Sequence, residues 1–338
     1  MLRPDCILTF TRVGRSDPDQ FEFRSINDLE IHSSWKNLTD TGELVIAKKY
    51  NWEGNDVFGG ANPLIKIGDK VSIQLGYNAV YNLAFTGYIS ALNTEQVTKM
   101  KLEDELWLLK RSTLTAKMYK SVSLKTLIND VIGTKIPFIT TVDYTDVGKV
   151  TIQNGATPAL VLEMLRKTYH IESFVRSGTL YVGIPYLYNY PATKETALQH
   201  DFEFQENIIE SSLEWKTKDT YPMFAKATCI YNEGKQNKKL TVKVGDLGGA
   251  QKTFTYYQKY TEEGLKEIAL RDLNKCVYNG FYGKFATFGE PFVRHGDRIS
   301  MIDKKNPEKN GVYFAKSVEY NFGWGGYFQE IELGARVL

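Results

Sequence analysis

The sequence has few cysteines and no long apolar run. Its three cysteines, Cys6, Cys229 and Cys276, are widely spaced and form no CxxC pair, which excludes a disulfide framework and a cysteine-based zinc site. No apolar stretch approaches the roughly 20 residues that span a bilayer, so we expect no membrane insertion. The first ten residues, MLRPDCILTF, place an aspartate where a signal peptide needs an apolar core. We therefore expect a protein made in, and retained in, a cytoplasm.

The sequence also lacks the common motifs of catalysis and cofactor binding. Its four histidines form no HxxxH or HExxH pair, so no metal ligands are predicted. It has no GxSxG elbow, no Walker A loop and no GxGxxG turn after a strand, so we predict no catalytic residues and no cofactor. The acid and base of a hydrolase could still lie among Asp104, Glu105, Glu163, Glu206 and Glu210, but sequence alone does not pair them.

Charges of the two signs nearly cancel, with 42 Lys and Arg against 40 Asp and Glu, for a net charge of +2. We therefore expect neither a sequence-specific nucleic-acid partner nor an anionic membrane. Aromatic residues, in contrast, reach 13%, with 21 Tyr and 18 Phe, and such side chains favour strands. Because 42% of the 338 residues are hydrophobic, the chain can form two or three packed cores. These features predict a β-rich α+β fold.

One short pattern occurs twice. The segment IKIGDKVSIQLGY contains Gly68 and Asp69, and VRHGDRISM contains Gly296 and Asp297, each 228 positions later (68 to 296 and 69 to 297). In both segments apolar and polar residues alternate with period two, which is typical of a strand with one buried face. The Gly-Asp pair supplies the turn before the strand. The match predicts an internal duplication.

Strand and helix signals divide the chain into three predicted domains. Residues 1–110 form consecutive strand patterns separated by turn residues, which predicts a small antiparallel barrel or sandwich. Residues 111–190 contain the helix patterns SLKTLINDVIG and TPALVLEMLRKTY and a strand hairpin, which predicts a small α/β module. Residues 191–338 return to strand patterns and form the second β domain.

The last segment repeats further landmarks of the first. Trp35 and Asp40 have counterparts in Trp215 and Asp219, at offsets of 180 and 179. The offset then grows from 179 to 228 before the second Gly-Asp pair, so about 49 extra residues are predicted in the second copy.

The extra residues contain one strong helix pattern, TEEGLKEIALRDLNKCV, which begins at Thr261. Its apolar face includes Leu265, Ile268 and Leu273, which we expect to pack inward. We therefore predict a helical insertion at about residues 250–290 of the second β domain.

The segment from Gly264 to Asp303 resembles the late control protein D family of phage tails. In that family a helix and strands precede a Gly-x-Pro and a Gly-Asp pair, the positions occupied here by Gly289, Pro291, Gly296 and Asp297. The segments IKIGDKVSIQLGY and RKTYHIESFVRSGTLYVG are similar to the same family. The family includes baseplate hub proteins, the Mu-like 43 kDa tail protein and the N-terminal region of the VgrG spikes of type VI secretion.

The resemblance implies two β domains shaped like a tail-tube subunit in each chain. It further implies a homotrimer that presents six similar domains to a hexameric tail tube, with a trimeric spike and other baseplate proteins as partners. Because the chain stops after the second β domain, we expect the spike to be a separate protein. The implied location is the baseplate of a virion tail, assembled in the cytoplasm of a bacterial host.

Two other functions remain open from the sequence. A tail-associated cell-wall hydrolase would need a carboxylate pair or a nucleophile in a cleft. A carbohydrate-binding β protein would need a shallow groove lined by aromatic residues. The resemblance favours a structural hub without enzymatic activity over both.

Overall fold

A computed structural model of the protein describes residues 2–14, 19–46, 51–52, 55–59, 63–142, 144–169, 171–183, 198–233, 236–256 and 259–337. Large antiparallel sheets and few helices form this structure, so the predicted β-rich α+β fold is confirmed. No helix among the described residues is both long and apolar enough to cross a membrane.

The first segment consists of strands followed by one short helix. Along β1 alternate side chains are buried, including Cys6, Leu8 and Phe10, as the period-two pattern requires. The elements are β1 (Pro4–Thr11), β2 (Gln20–Phe23), β3 (Asp28–Ser34), β4 (Thr41–Ile46), β5 (Asn51–Trp52), β6 (Asn55–Asp56), β7 (Lys70–Tyr77), β8 (Val80–Asn93), β9 (Thr98–Glu103) and α1 (Leu106–Lys110).

The middle segment is a small α/β module with its own hydrophobic core. The two helices begin as predicted: Ser123 accepts the N–H of Thr126 at 3.2 Å, and Thr157 accepts the N–H of Leu160 at 3.2 Å. The elements are β10 (Lys117–Tyr119), α2 (Leu124–Ile132), β11 (Phe138–Thr140), β12 (Val150–Ile152), α3 (Pro158–Tyr169), β13 (Glu172–Arg176) and β14 (Thr179–Gly183). The predicted boundary at residue 190 lies outside the described residues.

The last segment returns to strands and contains one long helix. Its elements are β15 (Gln199–Glu203), β16 (Ile208–Ser211), β17 (Glu214–Lys216), β18 (Met223–Glu233), β19 (Gln236–Gly245), β20 (Ala250–Tyr256), α4 (Glu262–Cys276), β21 (Gly280–Tyr282), β22 (Lys284–Phe288), β23 (Arg298–Ile302), a 3₁₀ turn (Pro307–Lys309), β24 (Gly311–Gly323) and β25 (Gly326–Arg336).

Strands from the first and last segments join in one 13-stranded sheet. Its main path runs β16-β22-β25-β24-β3-β4-β9-β8-β7-β1-β2, and the pair β3–β24 connects the two segments. Side chains from both segments also fill one core, for example Phe10 and Ile31 with Phe285 and Tyr320. The strands of the two predicted β domains thus lie in one continuous sheet and share one core. The pairing of β3 with β24 satisfies backbone groups that two separate sheets would leave at open edges.

A long excursion between β17 and β21 carries the inserted helix. It holds a three-stranded sheet, β19-β18-β20, against which α4 packs. Leu265 and Leu273 are buried there, and Ile268 is half-buried. The excursion spans residues 217–279, so it begins earlier than the expected 250–290 and contains strands as well as the helix. The sequence pattern showed the helix but did not show that the preceding strands belong to the same unit.

Candidate functional site: repeated turns and a buried polar junction

The first Gly-Asp turn is held by four hydrogen bonds. The carboxylate of Asp69 accepts the backbone N–H of Lys66 at 2.8 Å, and the N–H of Asp69 donates to the Lys66 carbonyl at 3.1 Å. Gly68 donates to the Ile89 carbonyl at 2.8 Å, and the Ile89 N–H donates to the Asp69 carbonyl at 3.0 Å. The turn therefore fixes the start of β7 beside β8.

The second Gly-Asp turn repeats this set of bonds. The carboxylate of Asp297 accepts the backbone N–H of Arg294 at 2.9 Å, and the backbone N–H of Asp297 donates to the Arg294 carbonyl at 3.0 Å. Gly296 donates to the Ala315 carbonyl at 2.6 Å, and Ala315 donates to the Asp297 carbonyl at 2.8 Å. Both glycines have positive φ, +93° at Gly68 and +86° at Gly296, which explains the residue type.

The hairpins after the two turns share an irregularity. In β8 the register with β9 shifts between Ile89 and Ala91, and in β24 the register with β25 shifts between Ala315 and Ser317. A bulge at the same distance from each Gly-Asp turn indicates that the hairpins have the same construction.

The strand order continues to match beyond the hairpins. It is β7-β8-β9-β4-β3 in the first repeat and β23-β24-β25-β22-β16 in the second. Within each repeat, paired residues can be followed from strand to strand, starting at matching hairpin positions. The first row runs Leu92, Met100, Leu44, Leu29, and the second runs Val318, Ile331, Phe285, Ser211.

These rows place the Trp and Asp landmarks at different positions in the two repeats. Since Leu29 corresponds to Ser211, Trp215 corresponds to Ser33, two residues before Trp35. Trp35 packs against Phe174 and Tyr181 of the α/β module, whereas the ring of Trp215 lies 5.0 Å from that of Phe281. Asp40 immediately precedes β4, whereas Asp219 lies in an exposed turn inside the excursion.

The two turn aspartates differ in their further contacts. Asp69 accepts the backbone N–H of Val13 at 3.0 Å. Asp297 instead contacts Arg176 of β13 at 3.3 Å and His200 of β15 at 3.3 Å, and Arg176 also donates to the His295 carbonyl at 3.2 Å. Arg176 and Asp297 are both buried. The second turn therefore binds the α/β module to the large sheet.

Polar side chains from the first repeat also lie beside the second Gly-Asp turn. The Ser33 hydroxyl donates to Asp40 at 2.6 Å and contacts Nδ1 of His295 at 2.8 Å. Asp104 accepts the N–H groups of Asp40 at 2.8 Å and Leu106 at 2.9 Å. We call this cluster the polar junction. It consists of Ser33, Asp40, Asp104, Arg176, His200, His295 and Asp297.

Burial shifts the pKa values of the polar junction. Burial raises the pKa of Asp40 to about 7, although its hydrogen bonds with Ser33 and Ser34 oppose the rise. Burial and the neighbouring Asp40 raise the pKa of Asp104 well above its usual range. Burial and the charge of Arg176 lower the pKa of His295 to about 3. Burial alone would raise the pKa of Asp297, but His200 and Arg176 lower it.

A small cavity lies inside the polar junction. It has a volume of about 60 Å³, and Asp40, Asp104 and Glu105 line it. Such a volume holds a few water molecules, whereas ligand pockets usually exceed about 300 Å³. The cavity therefore offers no room for a sugar chain beside Asp104 and Glu105. Two of the other carboxylates considered from the sequence lie elsewhere: Glu163 pairs with Arg166 on α3, and Glu206 lies 3.8 Å from Lys304.

Among the described residues, a partly exposed group of possible metal ligands lies across the strand pair that joins the two repeats. Nε2 of His32 lies 2.7 Å from Glu30, and Nδ1 of His32 lies 3.1 Å from Glu319 on β24. His32 and Glu319 are direct partners across the β3–β24 pair. Both ring nitrogens thus contact carboxylates, and these contacts support the strand pairing.

An aromatic groove lies at the tip of the β24–β25 hairpin. Trp324 is 93% exposed, and Phe322 and Phe328 line the groove beside it. Its volume is about 480 Å³. The corresponding β8–β9 tip carries Thr94, Glu95 and Gln96 instead, so the groove belongs to only one repeat.

No protein-family profile and no curated protein sequence matches the chain. Solved structures match over nearly its whole length. A tail protein from Neisseria meningitidis MC58 has a TM-score of 0.63 at 15% identity, covering 97% of this chain and 96% of that one. The 43 kDa tail protein of prophage MuSo2 from Shewanella oneidensis has a TM-score of 0.61 at 13% identity, covering 98% of both chains. A chain of the Francisella PdpA-VgrG complex has a TM-score of 0.60 at 11% identity, covering 98% of this chain and 53% of that one.

The chain therefore has the fold of phage tail proteins, and the resemblance predicted from the sequence is confirmed at the level of fold. At identities of 11% to 15% the likeness shows the fold.

Proposed function

We propose that the protein is the structural baseplate hub of a phage tail or of a phage-derived injection machine. The observation that carries the proposal is the repeated turn and hairpin within a tail-protein fold: two Gly-Asp turns with the same hydrogen bonds, followed by hairpins with the same bulge. A chain with two similar units can occupy two neighbouring positions of a six-membered ring.

In this proposal residues 1–110 and 191–338 provide the two tube-like units, and the α/β module of residues 111–190 lies between them. Three chains then present six units to a hexameric tail tube on one side and threefold symmetry to a separate spike protein on the other. Other baseplate proteins complete the partners. The site of action is the virion tail, after assembly in the cytoplasm of the bacterial host.

Mass measurement tests this arrangement. We expect the purified chain to sediment as a species of three times the chain mass or, when the trimer forms only with its tail tube protein, as a complex that contains three copies of the chain. The trimer should bind one end of a hexameric tube ring, and trimers should not associate with one another. A stable dimer or tetramer, with or without the tube protein, would contradict the hub.

The groove beside Trp324 favours a second candidate function, the binding of a sugar chain. Aromatic rings can stack on sugar rings, and Asn27, Asp28 and Asn321 also line this groove. If this function is correct, peptidoglycan fragments or surface polysaccharide should shift the tryptophan fluorescence of the wild type and not that of Trp324→Ala. Glu95→Ala on the corresponding hairpin is the control. A hub without sugar binding should show no shift in either protein.

A further inference from the structure

The two repeats meet within the chain at a single strand pair. Residues Ser317–Gly323 of β24 lie opposite Ser34–Asp28 of β3. This side of β24 is available because β23 pairs with β24 only as far as Phe314. The second Gly-Asp turn then forms backbone hydrogen bonds with Ala315, and beyond the bulge β24 pairs with β3.

In the first repeat the strand that corresponds to β24 is β8, and its pairing with the preceding strand ends at the same place. β7 pairs with β8 only as far as Tyr88, and the first Gly-Asp turn bonds Ile89. Beyond the bulge, Ala91 corresponds to Ser317 and Asn93 to Glu319. Among the described residues no strand pairs with β8 on this side after Ile89. The first repeat therefore lacks the strand that β3 supplies to the second.

The counterpart of β3 lies at the end of the large sheet. Strand pairing matches Leu29 with Ser211, so residues 210–216 of β16 and β17 correspond to β3. A glycine supports this match. A Cβ atom on Gly42 would lie 3.4 Å from the carbonyl oxygen of Glu30, and one on Gly283 would lie 2.5 Å from that of Ser212, the residue that corresponds to Glu30. In the described structure β16 and β17 each have a partner on one side only, β22 and β21 respectively.

We propose that β17 of one copy of this chain pairs with the end of β8 of a second copy, in the register of the β3–β24 pair. Leu92 then lies opposite Trp215, Asn93 opposite Glu214 and Ala91 opposite Lys216. The proposal rests on the hub function, to which it adds the contact surface. Repeated around a ring, it gives three contacts within chains and three between chains.

The side chains at these positions fit such a contact. Leu92 and Trp215 are both half-buried, and both pack against the main core. Their counterparts within the chain, Val318 and Ser33, are 1% and 8% exposed. Pairing would bury the apolar surface that Leu92 and Trp215 leave exposed, which is favourable. It would also cover two open strand edges.

The segments that follow β3 and β17 differ, and this difference places the excursion next to the proposed contact between chains. After β3 the chain runs directly to β4 through residues 35–40, and the α/β module covers this connection: Trp35 and Leu38 pack on the module, and Arg166 donates to the Lys36 carbonyl. After β17 the excursion of residues 217–279 takes the place of that short connection. In the ring it would lie beside the contact between copies.

Disulfide trapping tests the register. The exposed Cys276 is first replaced, as Cys276→Ser, and two double variants are made: Leu92→Cys with Trp215→Cys, and Asn93→Cys with Glu214→Cys. Neighbouring pairs of antiparallel strands alternate in spacing, so at least one double variant should have a separation that a disulfide can bridge. The matched controls are Val318→Cys with Ser33→Cys and Glu319→Cys with His32→Cys, which lie in the contact within the chain.

Oxidised trimer is expected to run as a covalent trimer on a non-reducing gel for at least one double variant, and as a monomer after reduction. A mixture of the two single variants should give covalent dimers only, and the controls should give crosslinked monomers. Dimers from one single variant alone would overturn the proposal, because they would show like edges in contact. A trimer by mass whose double variants do not crosslink, while the controls do, overturns the register and leaves the hub standing. Absence of any trimer with the tube protein overturns both.

Discussion

Replacement of Asp297 by Asn is expected to lower the free energy of unfolding by about 3 to 5 kcal/mol. Asp297 is 1% exposed, and its carboxylate contacts Arg176 and His200 besides the turn N–H of Arg294. The amide has nearly the same shape, so the change removes the charge and leaves the packing. The buried guanidinium of Arg176 then faces an amide group, and the loss of the paired charge is the main cost. Urea unfolding at one protein concentration measures it.

Asp69→Asn is the matched control for this prediction. Asp69 holds the same turn bond in the first repeat, but its second partner is the N–H of Val13. Loss of charge at such hydrogen bonds should cost less, about 1.5 to 3 kcal/mol. Equal losses for both variants would show that the contacts with Arg176 and His200 add little, and that the turn itself carries the stability.

The Gly-Asp turns could be read from the sequence because all that defines them is local. A glycine with positive φ, an aspartate that accepts the N–H three residues earlier, and a strand of period two all lie within about ten residues. The same reasoning found the starts of α2 and α3 at Ser123 and Thr157. It also placed Leu265 and Leu273 on the buried face of α4.

Residue offsets along the chain were a poorer guide than strand pairing. Trp215 and Asp219 match Trp35 and Asp40 in the sequence, but paired rows of the sheet place Trp215 at the position of Ser33. The excursion accounts for Asp219, which lies inside it, whereas Trp215 lies in β17 before the excursion begins. A residue type as common in strands as tryptophan recurs by chance within two positions.

The polar junction could not be assembled from the sequence. Its members come from positions between Ser33 and Asp297 and from all three segments, and no spacing rule connects them. Asp104 could be named only as one carboxylate among many. Its significance depends on the backbone N–H groups of Asp40 and Leu106, which only the folded chain brings to it.

The Asp40→Asn variant is expected to gain stability relative to the wild type as the pH rises. Burial raises the pKa of Asp40 to about 7, so the folded protein keeps a proton that the unfolded chain releases from about pH 4 upward. The wild type therefore loses stability between about pH 4 and pH 7, and the loss is complete above pH 7. Asparagine does not ionise, so the loss of Asp40 itself should make the difference between the two proteins grow by about 4 kcal/mol over this window.

The comparison with the variant is needed because other groups of the polar junction titrate. Asp104, Glu105, Arg176, Arg294 and His295 line the same cavity as Asp40. His295 acts with the opposite sign: its pKa is lowered to about 3, so stability from this group rises with pH up to about 6.5. His295 is present in both proteins and cancels in the difference. Asp104 does not cancel fully, because the charge of Asp40 is one cause of its raised pKa, and this part adds to the difference with the same sign as Asp40 itself. Urea unfolding at pH 4.5, 6 and 7.5 gives the profile, with the exposed-turn variant Asp219→Asn as the control. A difference between wild type and Asp40→Asn that stays constant with pH would show that Asp40 is ionised in the folded protein throughout, and that the polar junction carries a buried negative charge at this position.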